Sequence, residues 1–129
     1  MAISDKHVTF FLLLGILLFA SYQTLMVSST ITKEEAIEIS RSSPTMQEYI
    51  EKATDYFLSE AEYLNVTMVK SMKEQNIERY GSLPDDHGVW EIVWGMFLKP
   101  YGIDFTSLWH YIDGETGEIL LELRGVIFT

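Results

Sequence analysis

The chain contains no cysteine. Disulfides, thiol nucleophiles, thiolate zinc sites and iron–sulfur ligation are therefore all excluded. Positive charge is scarce as well. Nine Lys and Arg stand against 19 Asp and Glu, a formal net charge of −10 on 129 residues. Nucleic-acid binding needs clustered cations facing phosphates, so that class is disfavoured. Proline occurs three times, and there is no low-complexity or repeated segment. Also missing are a nucleophile elbow, an H-E-x-x-H pair, a phosphate loop and a dinucleotide fingerprint. The adjacent pairs Glu34–Glu35 and Asp85–Asp86 do not make a catalytic dyad by position, since neighbouring helix residues diverge by about 100°. Enzymatic activity is not expected, and no cofactor is implied.

The composition is uneven. Residues 1–29 hold 18 apolar side chains and only Asp5 and Lys6 as charges, so the whole imbalance belongs to residues 30–129. The run VTFFLLLGILLFA at 8–20 is uncharged, and continued to 27 it spans 20 residues. At about 1.5 Å per helical residue that length just crosses a bilayer core of about 30 Å. The denser 8–20 stretch equally suits the apolar region of a signal peptide, with cleavage before Thr30 or after Ala20. Residues 1–29 are thus read as a signal peptide or membrane anchor, forming an N-terminal hydrophobic helix. Either reading places the rest outside the cytoplasm, secreted or held by a single-pass anchor.

Local signals organise the body. Thr32–Lys33–Glu34–Glu35 is a capping box opening a helix over 33–41. Ser43, Pro44 and Thr45 start a second helix. Met46, Tyr49, Ile50, Ala53, Phe57, Ala61 and Leu64 recur at three- and four-residue steps, predicting one helix to residue 64. Its acidic residues, among them Glu48, Glu51, Asp55 and Glu62, form a solvated face or a docking face for a basic partner. Helical spacing continues from Thr67 to Tyr80. Asn65–Val66–Thr67 is an N-glycosylation sequon, though so short a pattern also arises by chance.

Residues 81–88 (GSLPDDHG) read as a loop, after which the period changes. Residues 89–98 are β-branched and aromatic, with Trp90, Ile92, Trp94 and Met96 on one face. A strand over 108–113, a turn over 113–117 and a strand from 118 complete a hairpin. Asp113 can bond amides in that turn, and Gly117 can take positive φ. The expected fold is α+β: the leader helix, then two or three helices packed on an antiparallel sheet of three or four strands.

The segment Tyr111–Ile112–Asp113–Gly114–Glu115–Thr116–Gly117–Glu118–Ile119–Leu120 resembles the closing hairpin of PepSY domains. Ile31–Thr32–Lys33–Glu34–Glu35–Ala36–Ile37 is similar to their opening helix, and 89–94 to their preceding strand. On that likeness 30–129 is one PepSY-like domain with a helical insertion around 44–80. The resemblance implies an extracytoplasmic interaction module that binds or restrains a secreted peptidase, and it carries over no catalytic residues.

Trp90, Trp94, Trp109 and Tyr111 are the candidate partner-binding residues, with strand addition as the mode. A small-ligand or metal-binding sensor is the alternative, using the aromatic cluster and the Asp85–Asp86–His87 loop. A metal needs three or four converging ligands, and no such spacing is present, so no metal residue is assigned.

Overall fold

The computed structural model describes residues 30–98 and 105–127. The expected leader helix lies outside the described residues. No helix among those described is long and apolar enough to cross a membrane.

Thr32 caps α1 (Lys33–Arg41): its hydroxyl accepts the Glu35 amide at 3.1 Å, and the Glu35 carboxylate takes the Thr32 amide at 3.1 Å. This reciprocal pair satisfies two donors that a helix start otherwise leaves open. Ser43 caps α2 (Pro44–Lys52) through the Met46 amide, with Pro44 in the first turn, where no amide is needed.

At Ala53 the chain departs from the expected helix. Ala53–Leu64 is strand β1, paired antiparallel with β2 (Val89–Leu98) from Ala53 opposite Leu98 to Leu64 opposite Val89. The apolar spacing that fits a 3.6-residue period also fits a strand with two register irregularities. Tyr56, Leu58, Ala61 and Tyr63 oppose Met96, Trp94, Ile92 and Trp90, while Phe57 and Leu64 fall on the other face. Tyr and Phe, with Thr54, favour pleated backbone, and β2 offers a complete ladder of bonds that an isolated helix cannot match. The expected insertion over 44–80 is thus not wholly helical, since its middle third is a strand of the sheet.

Asn65 caps α3 (Val66–Gln75), and a single turn, α4 (Ile77–Tyr80), follows. β3 (Phe105–Asp113) starts three residues before the expected 108, and β4 (Ile119–Ile127) runs on past Gly125. The described chain therefore has four helices, against the two or three expected, and one meander of order β1-β2-β3-β4. The β3–β4 turn is fixed by Asp113, whose Oδ1 accepts the Glu115 and Thr116 amides at 2.8 and 3.0 Å. Gly117 closes it at φ 80°, a value that costs a side-chain-bearing residue energy.

The two faces of this sheet differ. On one, Trp90, Ile92, Trp94, Met96, Leu108 and Ile112 pack under Ala36 of α1 and Met46 of α2. On the other, Leu64, Val69, Leu83, Val89 and Tyr111 form a smaller cluster beneath α3 and the 81–88 loop. Among the described residues that second cover reaches only one end of the strands. Toward the other end Phe57 remains 44% exposed, and Tyr56 and Leu58 beside it on the outer strand are nearly as open.

Candidate functional site

The four candidate aromatic residues do not converge. Trp90 and Trp94 lie in the closed face, where their indole N–H groups donate to Ile31 O at 3.2 Å and Ser40 Oγ at 2.7 Å. Both are core residues with their polar atoms satisfied. Trp109 and Tyr111, on alternate positions of β3, point to the open face. There they line a groove of about 410 Å³ with Arg79, Tyr80, Leu123, Arg124 and Gly125. Tyr80 and Tyr111 meet edge to face at 5.8 Å between ring centroids. A Cβ on Gly125 would fall 2.7 Å from the Trp109 ring, so the missing side chain is what lets the indole lie across β4.

Strand β2, which carries two of the four candidates, is central; among the described residues the outer strands are β1 and β4. β1 is the more open. Tyr56, Phe57 and Leu58 present three consecutive large apolar side chains to solvent. Next to them Glu60 and Glu62 of β1 and Glu91 of β2 bring carboxylate oxygens within 4.8 Å of one another. Glu62 stands directly opposite Glu91 in the ladder. A hydrogen bond shared with Glu62, partial burial and the Glu91 charge push the Glu60 carboxyl above its usual range. Among the described residues no Lys or Arg pairs with these three. The acidic face expected on a helix is thus realised in part as a carboxylate cluster on a sheet.

The Asp85–Asp86–His87 loop does not form a converging ligand set. Asp85 turns to Lys73, which also reaches the Leu83 carbonyl at 2.7 Å. His87 turns inward instead. Its Nδ1 lies 2.7 Å from Asp86 and 3.8 Å from Glu115, and its Nε2 is 2.9 Å from Asp113. Burial works against a charge on this ring, but the hydrogen bonds to Asp113 and Asp86 outweigh it, and the His87 pKa stands above its ordinary 6.5. Asp113 is lowered in turn: its burial is outweighed by His87 and by the two turn amides. His87 therefore ties the 81–88 loop to the hairpin.

Sequence reading missed a second histidine network. His110 is fully buried, with Nδ1 2.7 Å from Ser40 Oγ and Nε2 2.9 Å from Glu122. The carboxylate fixes the proton on Nε2, so Ser40 donates to Nδ1 while accepting from Trp94. Thr45 and Arg124 complete the Glu122 shell at 3.1 and 3.2 Å. Burial of Glu122 is outweighed by these partners, led by His110, and its carboxyl sits below the usual range. The order serine, imidazole, carboxylate is that of a hydrolytic triad. Yet Ser40 and His110 are fully buried, and neither lines the groove over Trp109 or the one between Lys70, Ile77 and Asp85. The arrangement ties α1, α2, β3 and β4 together as a buried polar clamp. The residues are 70 and 12 positions apart, so no sequence motif could have found them.

Asn65 is exposed at the start of α3, where its Oδ1 accepts the Met68 amide at 3.0 Å, leaving the amide nitrogen for a glycan.

No protein-family model matches this chain, and neither does any curated protein or solved structure.

Proposed function

We propose that the protein is an extracytoplasmic interaction module, PepSY-like in its opening helix and closing hairpin, that captures an extended segment of a partner protein along β1. The partner class suggested by the resemblance is a secreted peptidase, which such capture would hold or restrain. One observation carries the reading: β1 is a 12-residue strand whose outer edge has no partner among the described residues, and it carries an exposed Tyr56–Phe57–Leu58 triplet.

An outer strand is a template for another strand, and natural proteins usually blunt it with lysine, proline or brevity. β1 is long and has none of the first two; its defences are two irregularities and acidic side chains. Strand addition would supply main-chain bonds for affinity, and alternate side chains would read the apolar triplet and the adjacent carboxylates. The acidic charge of the body favours a partner whose meeting surface is basic.

The test is a binding titration of the full chain against the secreted peptidases of the source cell, in parallel with a Phe57→Lys, Leu58→Lys double variant. Micromolar binding that the double variant loses while keeping its circular dichroism supports capture at β1. Absence of binding at high micromolar concentration removes the peptidase reading. Binding untouched by the double variant moves the site off this edge.

A further inference from the structure

The groove over Trp109 lies on the β4 side of the sheet, away from β1, and strand capture leaves it unused. Its volume of about 410 Å³ falls within the span of small-ligand sites, which run from about 300 to 1,000 Å³. The floor is flat and aromatic, because the indole spreads over Gly125 where no Cβ opposes it. Tyr80 and Tyr111 form one wall and Leu123 adds an aliphatic one. The Tyr111 hydroxyl adds no negative charge, since burial and the neighbouring Glu91 carboxylate push its pKa far up and keep it protonated.

The two arginines lining this groove differ. The Arg124 guanidinium sits 6.0 Å over the Tyr49 ring, on the opposite face, and bonds Glu122. Arg79 has no carboxylate partner among the described residues. An unpaired guanidinium is scarce in a chain with 19 acidic groups and nine basic ones. Its planar fork matches a carboxylate. The net charge of −10 opposes multiply charged anions, so a single negative charge meets the least long-range repulsion. The indole of Trp109 contrasts with its two relatives: Trp90 and Trp94 spend their N–H groups inside the protein, whereas Trp109 makes no such bond among the described residues.

We infer that this groove binds a small aromatic monocarboxylate, its ring stacked on Trp109 between Tyr80 and Leu123 and its carboxylate on Arg79. This is a ligand site independent of the β1 edge.

The experiment is a proton–nitrogen NMR titration of the full chain with 3-phenylpropionate, read at the three indole N–H signals. The Trp109 signal should shift saturably with a midpoint of about 1 mM, the weak affinity expected of a ligand with so few heavy atoms. The Trp90 and Trp94 signals should stay in place. Arg79→Gln, on an exposed turn, should weaken binding at least about fivefold, in line with loss of one charge-assisted pair. Phenethylamine, with the same ring and the opposite charge, and phenyl phosphate, with a second negative charge, should both bind more weakly. No saturable shift at about 20 mM, an equal shift with phenethylamine, or full affinity in Arg79→Gln would each overturn the assignment. None of these outcomes bears on peptidase binding at β1, so the two readings stand or fall separately.

Discussion

The two faces of the sheet divide the molecule's work. The closed face buries Trp94, Ile92, Met96 and Leu108 almost completely and threads a hydrogen-bonded chain through that core from Trp94 to Ser40, His110 and Glu122. Among the described residues the open face is covered at one end only, and it carries the groove, the carboxylate cluster and exposed Phe57, while Tyr56 and Leu58 lie on the other face at the outer strand. Burial is concentrated where solvent is excluded, and the surfaces proposed for recognition lie where it is not. The sharpest way to break that contrast is a matched truncation. Trp94→Ala removes a large buried ring and should cost about 3–5 kcal/mol. Phe57→Ala removes a ring of similar kind at a half-open site and should cost about 1 kcal/mol. Urea unfolding of the two variants measures both, and equal losses would show that the open face is as much a core as the closed one.

The next largest effect belongs to the clamp. His110→Ala strands the Ser40 hydroxyl and leaves the Glu122 carboxylate with Thr45 and Arg124 alone. A buried group left without its partner costs about 1–3 kcal/mol, so a loss of about 2–3 kcal/mol is expected. A change of a few tenths, read from the same urea midpoints, would mean that the chain of bonds adds nothing beyond packing.

How much of this was written locally explains what sequence reading could see. The α1 capping box, the alternation in β2 and the Asp113–Gly117 turn depend on residues within four positions of one another, and each was legible. β1 was not, because its strand state depends on β2 about 35 positions later along the chain. Its apolar residues satisfy both periods, and only the ladder decides between them. The division of the tryptophans between faces was half visible. Alternation put Trp90 and Trp94 on the helix-covered side, while the opposite sense of Trp109 needed the β2–β3 register.

His87 offers a pH test of how the open end is fastened. Its pKa is raised by Asp113 and Asp86, so its contribution is fully present below the unfolded value of about 6.5 and is lost as pH rises through the higher folded value. The Asp113 carboxyl is lowered, so its contribution is present above its ordinary 3.8 and is lost as pH falls through the lower folded value. Stability should therefore fall as pH rises from about 6.5 upward, in a step that His87→Gln abolishes. A wild-type profile that is flat between pH 6 and 9 by thermal melting would show that the imidazolium does not fasten the 81–88 loop.

The smallest predicted effect has the opposite sign. Glu62 stands across from Glu91 with Glu60 on the same face, and like charges at a cross-strand pair oppose folding. Glu62→Lys converts that pair into an attractive one and should stabilise the chain by about 0.2–1 kcal/mol near neutral pH. The gain should shrink as pH falls into the range where Glu60, whose pKa is raised, takes up its proton, and it should shrink in high salt. Raised stability joined to weakened partner binding would mean that the carboxylates are kept for recognition at a cost to the fold. Raised stability with binding intact would place the affinity in the β1 backbone and the Tyr56–Phe57–Leu58 triplet alone.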